Sequence, residues 1–372
     1  MRVVYLTAGS TVHDRRFAAA WAAHGHEVLY VRFASDAQLP PGFLPAGVRE
    51  VSLGAVAAPA DATALESLVP ACAELFAREA VEFVHAGPLP SGAWLAARAG
   101  APRLAAMSWG SDVLLEAELD ADAAARITET IAAADLAVCD CEHTAGVLAR
   151  RHGADRSSTV VFPWGVDLGR YPAEERFEHP WIDDPQAVVV ASFRTHEPVY
   201  GVATAVAGFL GAAAEVPSLR LVLGGSGSLT PQLREFVADS GLGSRVHFVG
   251  ALSHGQIPAL LGCSDIYLSA SVSDGTSISL LEAMASELPC VVTDIPCNRE
   301  WVSEGEGGRL APAGDSAGFA AALAELAPDC STRARMGARN RMVVQERADW
   351  PAEVKKLFSA VDAVIEYKGE VS

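Results

Sequence analysis

Asp274-Gly-Thr-Ser-Ile-Ser-Leu-Leu-Glu282-Ala-Met-Ala-Ser-Glu-Leu-Pro289 runs directly into the apolar segment Cys290-Val-Val292. The stretch reads as loop, helix and strand. Gly275 frees the backbone at a tight approach, Thr276, Ser277 and Ser279 can cap a helix, and residues 280–288 keep helical apolar spacing until Pro289 stops it. A helix that starts inside a loop turns its unpaired N–H groups and positive dipole end toward whatever lies above Gly275, and phosphate suits that position. Asp274 and Glu282 bracket it. A plainer reading of the same residues is a capping box, Ser279-x-x-Glu282, with Asp274 as a turn residue.

Outward from this unit the same alternation recurs on both sides. Toward the N-terminus, strands are expected at 2–7, 27–32, 82–85, 103–106, 136–139 and 159–162, with helices at 15–24, 62–78, 91–99, 119–133 and 143–151. Between 163 and 184 the rhythm lapses into proline-punctuated polar sequence, read as a linker. It resumes with strands at 187–191, 220–223, 246–249 and 266–268 and helices near 202–214 and 231–239, and helices near 315–327, 332–346 and 351–366 close the chain. The fold class is therefore α/β, with two doubly wound parallel sheets whose ligands bind beyond the carboxyl ends of the strands.

The carboxylate, glycine and small residues of 274–279, the run Leu-Leu-Glu-Ala-Met-Ala and the following Pro-Cys-Val-Val-Thr-Asp resemble the signature of retaining glycosyltransferases of family 4. That family carries two acids in this spacing. Here they are Asp274 and Glu282, with aspartate where the commoner pattern has glutamate. The resemblance implies the GT-B fold, two Rossmann-like domains facing across a cleft, with the last helix crossing back to the first domain. Its parts would be an acceptor-binding domain at 1–165, a linker at 166–186, a nucleotide-sugar domain at 187–348 and the returning helix at 349–372, beginning Trp350-Pro-Ala-Glu.

Individual residues follow from this frame. Arg194 ends the strand in Ala191-Ser-Phe-Arg194 and can clamp a diphosphate bidentately; otherwise it is an ordinary surface arginine. Many members of the family carry a lysine before the next glycine, where this chain has Tyr200-Gly201. By resemblance Glu282 binds ribose, Asp274 binds the sugar hydroxyls, and Arg194 with the N–H groups of Gly275, Thr276, Ser277, Ile278 and Ser279 holds the diphosphate. The glycine loop at Gly225 lacks dinucleotide spacing but matches the family's glycine turn, and Leu252 would meet the donor base through main-chain groups. Gly9 and Ser10 could line the donor side of the first domain.

Acceptor candidates in the first domain are His13, His85, Trp109, Ser111, Asp112 and His143. Ser-Trp-Gly-Ser-Asp112 resembles a segment of one branch of the family, whereas capping by Ser111 or Asp112 explains it locally. His13 and His85 follow strands, where a histidine is either structural or orients a hydroxyl.

The charge of −18, without long acidic blocks, argues against nucleic acid or an anionic membrane as partner and suits a small-molecule acceptor. No apolar run reaches the ~18 residues that a membrane span needs. The start Met1-Arg-Val-Val-Tyr reads as a strand without a cleavable leader, and seven cysteines without C-x-x-C suit a reducing compartment, so a cytoplasmic protein is expected. No metal motif is evident, and no cofactor beyond a nucleotide-diphosphate sugar as co-substrate is expected. Beside a retaining, metal-independent transferase stand a GT-B glycoside phosphorylase using free phosphate and a non-catalytic sugar-nucleotide-binding subunit, against which the presence of Asp274, Glu282 and Arg194 speaks. Donor base, acceptor and oligomeric state are not written in the sequence.

Overall fold

The computed structural model describes residues 1–34, 38–54, 56, 61–173 and 175–371, with side chains to residue 366 in the last helix. Residue 174 of the expected linker and residue 372 of the terminal segment lie outside the described residues. The chain forms two compact units, Met1–Trp164 with Val354–Ser372 and Gly165–Glu353.

The first unit holds a seven-stranded parallel sheet of β1 (Arg2–Thr7), β2 (Glu27–Arg32), β3 (Val48–Ser52), β4 (Phe83–Ala86), β5 (Leu104–Met107), β6 (Leu136–Cys139) and β7 (Thr159–Val161). Its order is β3-β2-β1-β4-β5-β6-β7, so strand order reverses between β1 and β4. Strand β3 is absent from the sequence reading, and it lies on the sheet edge with its arginine and glutamate exposed. An edge strand needs no continuous apolar run, so its signal is weak. The last helix, Trp350–Val371, contributes to this unit from Val354 onward. Phe358 stacks on His24 at 4.1 Å and meets Trp21 edge-on at 5.1 Å.

The second unit repeats the plan with β8 (Val188–Phe193), β9 (Leu219–Gly224), β10 (Val246–Gly250), β11 (Ile266–Ser269), β12 (Cys290–Thr293) and β13 (Gly308–Ala311), in the order β10-β9-β8-β11-β12-β13. Successive residues of β8 face opposite layers: Val188 and Val190 join the core with Phe209, Leu221 and Phe319, while Val189 and Ala191 join Leu281, Met284 and Val344. Both faces are dry, as the near-continuous apolar run in β8 requires. The 166–186 stretch belongs to this unit, and its Val166 and Tyr171 are buried. Strand order reverses between β8 and β11, which brings the loop after Arg194 beside the loop that carries Asp274.

Candidate functional site

The site in the second unit begins where β8 ends. Arg194 donates from Nη1 to Ser277 Oγ at 2.8 Å and to Ser279 Oγ at 3.0 Å, and from Nη2 to Asp274 Oδ2 at 2.7 Å. Its guanidinium carbon lies 4.3 Å from the centre of the Tyr200 ring. Burial opposes its charge, but Asp274, Tyr267 and Tyr200 outweigh it and raise the arginine's pKa. Arg194 is thus a held, charged group and not a loose surface side chain.

The helix after Asp274 spans Ile278–Ala285, with Ser277 as its N-cap residue. Ser277 makes no side-chain cap bond, and its hydroxyl accepts from Arg194 instead. The capping-box reading fails for a related reason. Ser279 sits inside the helix, and its hydroxyl joins Arg194, Tyr267 Oη at 2.7 Å and Ser277 Oγ at 3.1 Å. The Ser277 side chain thus does not cap the first N–H groups, and the positive end of the helix dipole lies beside a guanidinium.

Glu282, one turn into that helix, is 3% exposed, and its Oε1 accepts from Tyr171 Oη at 2.8 Å. His254 Nδ1 lies 3.8 Å from the same oxygen. Asp274 and Glu282 thus differ in setting, the first paired with Arg194 and the second buried under a phenol.

A second loop closes around Arg194. Gly225, at φ +106°, places its Cα so that an added Cβ would stand 2.1 Å from the Arg194 carbonyl oxygen, and its N–H donates to the Gly250 carbonyl at 2.7 Å. His196 bridges Thr230 Oγ1 at 2.9 Å and the Gly224 carbonyl at 3.2 Å. Glu197 accepts from both the N–H and the hydroxyl of Ser228. Leu252 packs against Gly224, where a Cβ would come within 2.7 Å of its Cδ1. Gly225, Leu252, Gly275, Thr276, Ser277, Ile278 and Ser279 accordingly fall in the same unit as Arg194, Asp274 and Glu282. Sequence reasoning missed Tyr171, His196, Tyr200, Tyr267 and His254. Tyr200 stood out only as the residue in a lysine's place, and the others are single aromatic or imidazole groups on separate elements.

The first-unit candidates separate into three kinds. His85 and Asp112 are buried and hydrogen-bonded within the unit. His85 is wholly buried, accepts from Trp21 Nε1 at 3.0 Å and packs between Tyr5 and Phe17, and burial lowers its pKa to about 3. Asp112 is 2% exposed and accepts from Ser108 Oγ and from the N–H groups of Leu89, Trp109 and Val113. Burial raises its pKa, and those four donors oppose the rise. Three of these donors meet Oδ1 and the Leu89 N–H alone meets Oδ2, so Asp112 ties its own loop to the start of the 89–93 turn.

His13 and Trp109 come together. The His13 ring lies 5.3 Å from Trp164 and 6.3 Å from Trp109, and the two indoles are 5.3 Å apart. His13 is in the first turn of the helix Val12–Ala23, while Trp109 and Trp164 follow β5 and β7; the first two are half-buried and Trp164 is buried. Ser10 and Ser111 are exposed, and the Gly9 carbonyl accepts from Tyr30 Oη at 2.8 Å. His143 is half-buried in the first turn of the helix Glu142–His152, whose cap is Cys141.

Comparison with known proteins agrees with this division. Residues 7–170 match the family described as Glycosyltransferase Family 4, and residues 173–343 match Glycosyl transferases group 1. The phosphatidyl-myo-inositol mannosyltransferase of Mycolicibacterium smegmatis is 29% identical over 58% of this chain and 55% of its own length. The D-inositol 3-phosphate glycosyltransferase of Salinispora tropica is 29% identical over 66% and 54% respectively. The chain thus spans about half the length of these relatives. The Anabaena protein HepE, solved in complex with UDP, superposes with a TM-score of 0.76 at 17% identity, covering 98% of this chain and 100% of that one. The fold is GT-B.

Proposed function

We propose that this chain, whose two units match the paired halves of family-4-like GT-B glycosyltransferases, moves a sugar from a nucleotide-diphosphate donor to a small-molecule acceptor with retention of configuration and without a metal. The observation that carries the proposal is Arg194, fixed by Asp274, Ser277 and Ser279 beside the start of the helix Ile278–Ala285. That arrangement supplies positive charge where a diphosphate leaves.

In this reading the Arg194 guanidinium and the N–H groups of Gly275 to Ser279 hold the diphosphate, Asp274 takes donor-sugar hydroxyls, and Glu282, steadied by Tyr171, takes the ribose. The bond from the anomeric carbon to the phosphate oxygen breaks with its electrons going to phosphate. The acceptor oxygen attacks from the same face, and its proton passes to the departing phosphate. Charge grows on the leaving group as that bond breaks, so donors already in place stabilise the transition state more than the bound donor. UDP in the Anabaena complex supports a nucleoside diphosphate as the ligand class. His13 and Trp109, backed by the buried Trp164, form the acceptor surface we favour, since rings of this kind suit the apolar faces of small molecules.

Transfer from UDP-, GDP-, ADP- and dTDP-glucose to a panel of glycosyl acceptors, with chelator present, tests the proposal. Glu282→Ala should abolish product formation while thermal unfolding remains cooperative. Near-normal turnover in that variant contradicts the assignment. Sugar release driven by inorganic phosphate alone would replace the transferase reading with a phosphorylase.

A further inference from the structure

We infer that Tyr200 is a positioning residue for the leaving group, the fixed face against which the Arg194 guanidinium is held. The inference rests on the reading of Arg194 as the diphosphate ligand. A guanidinium donates in its own plane. The bonds from Arg194 to Asp274, Ser277 and Ser279 therefore fix its rotation within that plane and do little to stop it tipping out. The Tyr200 ring, 4.3 Å beneath the central carbon, supplies the missing constraint. The two sets of contacts act in different directions, and together they leave one orientation for the remaining N–H groups.

The ring is itself fixed by the backbone. Tyr200 closes the 3-10 turn Pro198–Tyr200, with its N–H on the Glu197 carbonyl at 3.0 Å. Val272 donates to the Val199 carbonyl at 2.9 Å. Gly201 follows at φ +58°, so close to β11's continuation that an added Cβ would stand 1.9 Å from the Ala270 carbonyl oxygen. The segment 270–272 leads straight to Asp274. One backbone junction therefore places both the ring under the guanidinium and the carboxylate at its edge. Fixed donors aimed at developing charge need no reorganisation during reaction, which is the gain expected from this support.

The experiment is titration calorimetry on wild type, Tyr200→Phe and Tyr200→Leu. The probe is whichever of UDP, GDP, ADP and dTDP wild type binds, compared with its parent nucleoside, and kcat and KM are measured with the matching sugar donor. Phenylalanine keeps the ring and should stay within about twofold of wild type in all readouts. Leucine keeps the apolar bulk but loses the face, and should weaken the diphosphate about tenfold and lower kcat, with nucleoside binding unchanged. Should the leucine variant unfold, Tyr200→Met gives the same test. Wild-type diphosphate affinity in the leucine or methionine variant overturns the inference, as do equal losses in the phenylalanine variant or for the nucleoside. Failure of wild type to bind any diphosphate instead overturns the functional reading on which it rests.

Discussion

Arg194 Nη2 lies 2.7 Å from Asp274 Oδ2, although the two residues are 80 positions apart in the chain. They meet because β8 and β11 are neighbours at the point where strand order reverses. Their side chains are only 12% and 20% exposed, so each is the other's main compensation for lost water. A double-mutant cycle with Arg194→Ala and Asp274→Ala should give a coupling of about 1–3 kcal/mol in urea unfolding. Strictly additive losses would remove the pair from the account.

Tyr171 and Glu282 make the second long-range contact of the site. Tyr171→Phe deletes the phenol donor at 2.8 Å and leaves a buried carboxylate oxygen short of a partner. The variant should lose about 1–3 kcal/mol of stability, and its KM for the sugar donor should rise several-fold. Equilibrium unfolding and initial-rate kinetics measure the two effects separately.

Gly225→Ala should be damaging without touching a charge. The left-handed φ of +106° and the Arg194 carbonyl at 2.1 Å leave no room for a methyl group. The strand end must shift, so transfer activity should fall more than tenfold, with a melting temperature several degrees lower. Gly243→Ala is the control, since the nearest atom to its Cβ would be the Val237 carbonyl oxygen at 3.9 Å.

His85 gives the first unit a pH signature. Burial lowers its pKa to about 3 from 6.5, so between those values the unfolded chain binds a proton that the folded chain refuses. Its contribution is complete above pH 6.5 and is lost as pH falls toward 3, with a slope of up to about 1.4 kcal/mol per pH unit. Urea midpoints measured across this range should fall more steeply in wild type than in His85→Gln, which keeps an acceptor for Trp21. Equal slopes would contradict the burial argument.

The sheets were legible because buried parallel strands are nearly all apolar: the expected 2–7, 27–32 and 136–139 coincide with β1, β2 and β6. The edge strands β3 and β13 were not, since each mixes charged or polar residues into a short, half-buried run. Position after a strand and beside a helix start suggested Arg194 and the bracketing acids, but the resemblance to the family signature is what singled the acids out from a capping box. Their partners were not legible. Which aromatic lies under a guanidinium, or which phenol meets Glu282 across 111 residues, depends on packing that no local spacing encodes. The internal bonds of His85, inside β4, and of Asp112 were not legible either, because their partners Trp21 and Leu89 lie on other elements.

The most direct measurement is the thermal shift of wild type and Arg194→Ala with UDP, GDP, ADP or dTDP, each in chelator. One diphosphate at 100 times its dissociation constant should stabilise wild type by about 2.7 kcal/mol, a rise of several degrees, and should do far less for Arg194→Ala. No shift with any of the four, or the same shift in both proteins, would contradict a diphosphate site built on Arg194.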